Sequence, residues 1–538
     1  MPRYVIDKND FLKGIAISEE TGGFWRDQNG IDVYRTPGLL RPGVTSGSVY
    51  SEASATALTS PITRMVFADD SASPNSGIAY IVALSTNHGV RIRINAADSE
   101  TAAVVAFSGN NAAAKEGAAF YKLGSASSSR PALFYSLDTD IGMYDTSLDF
   151  TVNANWDDNF MSSVPANASS IVSTTFRTMY HHKRQDVLYW NSGSSGNQVD
   201  KFDANTGVNG TLTENALDLP AGWEIRDFAQ LRDYLAILAI TPNLTTVATD
   251  RAFIQPKSKI FYWDGVADTW NYETPVIEDR LMGLFNNENG LFAYGVGDGI
   301  SYYQLELEQA NRLFNWPGTG NTIDLSAGVR DGNDVANYRA VATRGRQSFI
   351  LGKDGNDAYI FAIGNRFGLP FGIHKPYLLK TAAGTVDLGY IVAVSPTKIY
   401  ASYHDDNGAS ADQYRVVRFS SGNSSSTAST ADTVELDSYF GGFGRMKKLK
   451  SIRFDFDKLA SGDQIDLYKE VDYAGSWTRI DGGGSTAATN RIAYADLGAI
   501  STAHYNGADK FRHLRLRWNF VAGNAKIRRI VIEFDYND

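Results

Sequence analysis

The chain has 538 residues, 50 Lys and Arg against 60 Asp and Glu, a formal net charge of −10 at pH 7, and no cysteine. The lack of cysteine excludes disulfide bridges, thiolate metal sites and a thiol nucleophile. The mild acidity, without blocks of like charge, argues against a dedicated nucleic-acid binder, because such proteins concentrate Lys and Arg on one surface. At roughly 100 to 200 residues per domain, the length predicts about two to four domains.

The first 60 residues combine turn-forming residues with large apolar side chains. They contain no positively charged region followed by an apolar stretch, so we expect no secretory signal, and no segment approaches the roughly 18 apolar residues of a membrane span. We therefore expect a soluble chain made in a cytoplasm. Because these apolar side chains would not remain in water, we predict an ordered N-terminal arm over residues 1–60 that packs against the following domain or a neighbouring subunit. Its candidate interface residues are Phe24, Trp25, Leu39 and Leu40.

Residues 61–430 alternate apolar strands with Gly, Asn, Asp and Ser turns, and only residues 112–121 and 306–315 are short helix candidates. Seven units of the form strand, polar turn, strand recur at a spacing of about 53 residues. They begin near Ala79, Ala132, Val187, Leu235, Phe292, Phe349 and Ile399. A blade of about four strands must stack on its neighbours to bury both faces, so the period predicts a β-propeller of about seven blades. The alternative is one or two large β-sandwiches with regularly placed turns.

Residues 421–431 are small and polar, which is typical of a linker, and the pattern changes after them. Five period-two stretches between residues 432 and 538 predict a C-terminal antiparallel β-sandwich over residues 431–538. In the stretch 511–520, alternation predicts that Leu514, Leu516, Trp518 and Phe520 point inward. Arg515 and Arg517 then point outward, and we take them as further candidate interface residues.

No motif for catalysis, nucleotide binding or metal binding is present, and the sequence predicts no catalytic, cofactor-binding or metal-binding residue. Asp354 to Asp357 and Asp405 to Gly408 hold oxygen ligands for calcium, but Asx-rich turns form without metal, so we interpret both as turns. Pairs of carboxylates could serve a glycosidase. The pairs are Asp138 with Asp140, Asp157 with Asp158, Glu278 with Asp279, and Asp405 with Asp406.

Aromatic side chains could also bind sugars by stacking, although in period-two strands they more often belong to a core. The candidates are Tyr121, Tyr144, Trp190, Trp263, Trp270, Tyr302 and Tyr303. A glycan-binding or glycan-cleaving propeller, such as a phage receptor-binding protein or a glycosidase, is the alternative function.

The turn-rich arm ending in Pro37-Gly38 to Arg41-Pro42-Gly43, the long cysteine-free β-repeat region and the C-terminal strand pattern together resemble tail proteins of tailed bacteriophages. The similarity is greatest to the nozzle or tail-hub proteins of short-tailed phages. The C-terminal stretches that carry it include Ile465 to Tyr468, Leu514 to Trp518 and Ile530 to Phe534. The resemblance covers most of the chain as an architecture.

The resemblance implies a non-enzymatic virion structural protein, a tail subunit that forms a homo-oligomeric ring around the channel for DNA ejection. It implies no cofactor, a location in the virion tail after synthesis in the host cytoplasm, and other tail or portal-adaptor proteins as partners. DNA would pass transiently without being read. On this view, removal of residues 1–45 should abolish assembly and leave the monomer folded.

Overall fold

The computed structural model describes residues 3–6, 25–28, 31–32, 41–42, 46–51, 62, 64–70, 78–85, 88–94, 100–107, 117–124, 130–137, 139–169, 171, 177–207, 209–241, 257–277, 279–288, 290–296, 299–317, 323–324, 341–364, 372–381, 385–395, 398–406, 413–420, 433–438, 446–457, 464–472, 474–480, 495–496, 500–507, 509–523 and 525–536. Within these ranges nearly all secondary structure is antiparallel strand. The exceptions are one four-residue helix, α1 (Phe160–Ser163), and one 3-10 turn (Asn153–Asn155). The all-β prediction is confirmed.

Seven antiparallel sheets follow one another along the chain, and in the first five of them four consecutive strands pair in order. Blades 1 to 3 comprise β6 (Arg64–Asp70), β7 (Ile78–Leu84), β8 (His88–Arg93), β9 (Thr101–Ala106); β10 (Ala118–Leu123), β11 (Arg130–Ser136), β12 (Ile141–Asp145), β13 (Trp156–Asp157); and β14 (Met179–His182), β15 (Val187–Ser192), β16 (Gln198–Asp203), β17 (Thr211–Asp218). Blades 4 and 5 comprise β18 (Glu224–Leu231), β19 (Tyr234–Ile240), β20 (Ser258–Trp263), β21 (Tyr272–Val276); and β22 (Arg280–Asn287), β23 (Gly290–Val296), β24 (Gly299–Glu306), β25 (Gln309–Pro317).

Blades 6 and 7 depart from the simple four-strand meander. Blade 6 comprises β26 (Ile323–Asp324), β27 (Val341–Arg344), β28 (Gln347–Asp354), β29 (Asp357–Gly364) and β30 (Gly372–Lys380), and both β26 and β27 pair with β28. Blade 7 comprises β31 (Thr385–Ser395), β32 (Lys398–Asp406), β33 (Gln413–Ser420) and β5 (Gly47–Ser51), which pairs with β33. The fourth strand of the last blade therefore comes from the segment that precedes the first.

The leading strands of successive blades contact one another all the way around. β6 contacts β10, and the series continues through β14, β18, β22 and β27 to β31, which contacts β6 again. This closed series places the leading strands innermost and the fourth strands at the outer rim. The fold is a seven-bladed β-propeller, as the sequence predicted.

In six blades the unit found in the sequence begins within the second strand, and in blade 6 it begins within β28 and continues into β29. One helix candidate was wrong: residues 306–315 form the turn between β24 and β25 and most of β25. Residues 118–121 of the other candidate lie in β10, and its residues 112–116 lie outside the described ranges. Alternation of apolar and polar residues in short hairpins resembles one face of a helix over a few residues, which explains the error.

A buried ion pair fastens blade 7 to blade 1. Glu100, which precedes β9, forms an ion pair with Arg418 of β33, and their side chains are 2% and 9% exposed. Glu100 also accepts a hydrogen bond from the Tyr400 hydroxyl at 2.8 Å. One buried apolar cluster joins Ile81 of blade 1 to Val416 of blade 7. Strand pairing, charge and apolar contact thus all act at the point where the ring closes.

The C-terminal residues form two packed antiparallel sheets. Sheet 1 runs β1 (Arg3–Ile6), β42 (Ile527–Tyr536), β35 (Lys447–Asp457), β39 (Ile500–Asn506), β38 (Ala495–Asp496), with β40 (Lys510–Phe511) beside β35. Sheet 2 runs β2 (Trp25–Gln28), β34 (Thr433–Ser438), β41 (Leu514–Ala522), β36 (Gln464–Val471), β37 (Thr478–Arg479). The rings of Phe454 in sheet 1 and Trp518 in sheet 2 meet with centroids 6.1 Å apart. The C-terminal β-sandwich is confirmed.

The described part of the N-terminal segment is divided between the two domains. β1 pairs with β42 and β2 pairs with β34, so each sandwich sheet has an N-terminal edge strand, and β5 belongs to blade 7. Between them, β3 (Ile31–Asp32) pairs with β4 (Arg41–Pro42), and β3 contacts β30 of blade 6. The segment 1–60, expected as an arm, therefore supplies strands to both domains. Removal of residues 1–45 should then destabilise the sandwich, in contrast to the folded monomer expected above.

Replacing Glu100 by Gln should lower the free energy of unfolding by about 3 kcal/mol, because the buried Arg418 guanidinium would lose the charge of its partner. Denaturant unfolding followed by tryptophan fluorescence measures this change. The matched control is Glu214→Gln on the exposed face of β17, which should change stability by less than about 0.5 kcal/mol. Equal effects of the two substitutions would contradict the closing role of Glu100.

A pair of neighbouring substitutions in β1 tests whether this strand belongs to the sandwich core. Ile6 is 1% exposed and Val5 is 38% exposed. Ile6→Ala should cost about 2 to 4 kcal/mol, whereas Val5→Ala should cost less than about 1 kcal/mol, because only Ile6 leaves a cavity. Thermal and denaturant unfolding of the full chain give both values. If the two variants were equally stable, β1 would not be part of the folded sheet.

Candidate functional site

The outer face of sheet 2 carries the two arginines that the sequence nominated for an interface. Leu514, Leu516, Trp518 and Phe520 are buried, whereas Arg515 and Arg517 lie half-buried on the opposite face, as alternation predicted. Arg515 forms an ion pair with Glu470, whose side chain is 2% exposed.

An indole ring lies against the same two arginines. The Trp477 ring centroid is 5.0 Å from the Arg515 guanidinium carbon and 4.2 Å from that of Arg517, so the ring makes a cation–π contact with each. Sequence reasoning missed this contact, because Trp477 follows a loop and its position depends on the turn before it. Both arginines therefore make contacts within the chain. Together with Trp477 they form an ordered surface that is both charged and aromatic.

The turn that places Trp477 is built by Asp472. Asp472 has a φ of 49°, and its Oδ1 accepts hydrogen bonds from the backbone N–H groups of Arg512 at 2.6 Å and His513 at 2.8 Å. Glu470 Oε1 accepts another from the Gly475 N–H at 2.7 Å. These bonds tie the loop to the start of β41, which orients Trp477 over that strand.

The other nominated interface residues are less informative. Phe24, Leu39 and Leu40 lie outside the described residues. The backbone of Trp25 lies in β2, opposite Leu436 of β34. Their role in an interface remains a prediction from the sequence.

The aromatic residues considered for sugar stacking are mostly core. Six of the seven are at most 4% exposed: Tyr121, Tyr144, Trp190, Trp263, Tyr302 and Tyr303. The seventh, Trp270, is half-buried, and its ring contacts Phe261 at a centroid distance of 5.1 Å. Because a sugar needs an open ring face, the six buried residues cannot stack on one.

The acidic turns considered for calcium are neutralised by lysines. Asp354 pairs with Lys375, whose side chain is fully buried, and Asp405 pairs with Lys380 at 3.0 Å. In the described part of the chain, no three His, Asp or Glu side chains are grouped so that they could hold a metal ion. Asp354 and Asp405 thus have structural partners, and Asn407 and Gly408 lie outside the described residues.

The described members of the carboxylate pairs also make structural contacts. Asp158 accepts a hydrogen bond from the Tyr135 hydroxyl at 2.9 Å, and Asp157 accepts one from the Asn159 N–H at 3.1 Å. Asp279 is buried and accepts one from the Tyr303 hydroxyl. Asp138 and Glu278 lie outside the described residues.

The hairpin between β14 and β15 fastens blade 3 to blade 4. Within it, the side-chain amide of Gln185 donates to the carbonyls of Asp233 at 2.8 Å and Asp264 at 2.9 Å. His182 is fully buried; its Nδ1 accepts from the Gln185 N–H at 3.1 Å, and its Nε2 donates to the Tyr234 carbonyl at 3.2 Å. Because Nδ1 accepts one hydrogen bond while Nε2 donates another, the imidazole ring of His182 is neutral.

A cleft of about 520 Å³ lies between blades 4 and 5. The turns after β18, β22 and β24 contribute to its walls, and Arg232 and Glu306 at its margin are exposed. Gln230 and Asn286 join the two blades, with the Asn286 amide donating to the Gln230 carbonyl at 2.6 Å. No motif in the sequence marked this cleft, because its residues come from separate hairpins.

Comparisons with known proteins found similarity to solved structures. No protein-family model matches the chain, and no curated protein matches it. Among solved structures, it is similar to the β-propeller domain of Myceliophteria thermophila Cps50 (Swd1), with 9% sequence identity and a TM-score of 0.38, over 69% of this chain and 99% of that one. The fold assignment therefore rests on the strand pairing described above. No helix in the described ranges has the length and apolar character needed to cross a membrane.

His182 should make the stability of the propeller depend on pH. Burial lowers the pKa of His182, whereas the ordinary value is about 6.5. Below that value the unfolded chain binds more protons than the folded chain, so the free energy of unfolding should fall as the pH drops from about 7.5 to about 5.5. His182→Gln should lose less stability over the same range. Denaturation curves at both pH values measure the difference, and identical losses would contradict a neutral buried His182.

Proposed function

We propose that the chain is a non-enzymatic structural subunit that assembles into a closed ring, of the tail-hub or nozzle type found in virions of short-tailed bacteriophages. The proposal combines the family resemblance of the sequence with the mechanical character of the fold. A subunit of this kind must hold its shape while DNA passes, and it needs no active site to do so.

The observation that carries the proposal is the insertion of the propeller strands, β5 to β33, between the N-terminal and C-terminal strands of the sandwich. β1 and β2 complete the two sandwich sheets, and β5 completes blade 7 of the propeller. A single cluster of buried apolar residues also extends from blades 5 to 7 into the sandwich, with members as distant as Phe292 and Phe454. Since domains move relative to one another unless their interface is large and apolar, this continuous core supports a rigid two-domain body.

The charge of the chain is compatible with DNA passage. The net charge of −10 disfavours tight binding to the phosphate backbone, which depends on concentrated Lys and Arg. A channel subunit of this charge lets DNA slide past without holding it. The partners in the virion would be copies of this chain and adjoining tail or portal-adaptor proteins.

The purified full chain should form closed rings with a central channel. Cryo-electron microscopy with mass photometry over a concentration series tests this expectation, because a closed ring gives one discrete mass instead of a ladder of sizes. A monodisperse monomer at every concentration would contradict the proposal. Incubation with double-stranded DNA at physiological salt should retain no complex on a filter, and tight retention would argue for a DNA-binding role.

A further inference from the structure

We propose that copies of this chain contact one another head to tail, the outer rim of blade 4 in one copy docking against the outer face of sheet 1 in the next. The inference rests on the proposed ring and specifies its contact. Exposed apolar side chains, complementary charge and the rigidity of the two surfaces support this contact.

The rim surface is defined by Val266 in the loop before β21, Tyr272 and Pro275 on β21, and Ile277 directly after it. Val266, Tyr272 and Ile277 are 85%, 37% and 53% exposed, and they are three of the seven large apolar side chains that are exposed among the described residues. β21 is the outermost strand of blade 4. Pro275 lacks a backbone N–H, which disfavours addition of another strand, so a partner would dock on side chains.

The rim surface is held in place before any partner binds. The Val266 N–H donates to Asp264 Oδ1 at 2.9 Å, and Lys201 of blade 3 donates to the Gly265 carbonyl at 2.9 Å. Tyr272 packs edge-to-face on Tyr234 at 5.6 Å. An apolar side chain on a preorganised turn loses little entropy on binding, which favours a docking role.

The cationic surface is defined by Arg3, Val5, Arg453, Arg528 and Arg529 of sheet 1. Val5 is 38% exposed on β1, opposite Val531 of β42. Together, the rim surface and this face of sheet 1 carry four of the seven large apolar side chains that are exposed among the described residues.

The carboxylates beneath the cationic surface are less exposed than its arginines. Arg528 and Arg529 have side chains 48% exposed, whereas their partners Asp457 and Asp455 are 24% and 4% exposed. These arginines therefore present positive charge outward, with the half-buried Glu533 directly opposite Arg3 on the same face.

The two surfaces come from parts of the chain with opposite charge. Residues 201–308, which span blade 4 and its neighbours, hold 16 Asp and Glu against 7 Lys and Arg. The strands of sheet 1 hold eight Lys and Arg against five Asp and Glu. Asp268 is exposed and Glu273 half-buried beside the rim side chains. Complementary charge steers association and fixes register, and two different complementary surfaces on one chain give a heterologous contact that closes into a ring.

The test uses the full chain and measures particle mass. The rim variant is Ile277→Glu, the cationic-surface variant is Val5→Glu with Arg528→Ala, and the control is Leu148→Glu, which changes a 44% exposed residue of blade 2. Wild type and control should assemble alike, and each surface variant should stay monomeric at concentrations that fully assemble the wild type. An equimolar mixture of the two surface variants should form dimers and nothing larger, because it contains only one intact pair of surfaces.

Salt and stability measurements complete the design. Raising the salt to 0.5 M should weaken wild-type assembly at least tenfold, because screening reduces the attraction of exposed charges. Thermal unfolding should show all variants folded, and Arg528→Ala alone replaces the double variant if Val5→Glu detaches β1. Rings formed by Ile277→Glu as readily as by the wild type would overturn this contact and leave the ring proposal intact. A wild type that never assembles would overturn both.

Discussion

Every blade of this propeller buries its faces against its two neighbours, so the whole ring depends on the pairing that joins its ends. That pairing is made by β5, which adds to β33 although nearly 370 residues separate them. Glu100 and Arg418 reinforce it with a buried ion pair, and their separation of 318 residues shows how distant the joined segments are. Loss of this closure would expose the apolar faces of blades 1 and 7 together, because the cluster around Ile81 and Val416 belongs to both.

The same N-terminal segment also determines how the two domains relate. β1 and β2 take edge positions in the sandwich before the chain enters blade 7 through β5. The propeller strands β5 to β33 form one continuous piece of sequence, whereas the sandwich combines β1 and β2 with strands from Thr433 onward. Such long-range pairings are slow to form, which makes the order of folding sensitive to the N-terminal strands. The N-terminal segment thus supplies strands to both domains, and one apolar cluster has members in blades 5 to 7 and in the sandwich.

The described polar side chains that were considered for metal binding or catalysis make structural contacts within the fold. Asp354 and Asp405 pair with lysines, Asp158 and Asp279 accept hydrogen bonds from tyrosines, and His182 bridges two blades as a neutral ring. Arg515 and Arg517 contact Trp477. Among the described residues, blade 4 and its flanking loops carry three of the seven large apolar side chains that are exposed, and β1 carries another.

The sequence by itself determined the strands, their grouping into seven units and the inward-facing residues of β41, because period-two alternation and turn residues are local properties. Leu514, Leu516 and Trp518 could be assigned to the core on that basis alone. Only the tertiary structure decided where the N-terminal strands pair, which carboxylates meet lysines or tyrosines, and that Trp477 covers the two arginines. Those contacts join residues tens to hundreds of positions apart, and no local pattern encodes them, since they depend on how blades stack and how the ring closes.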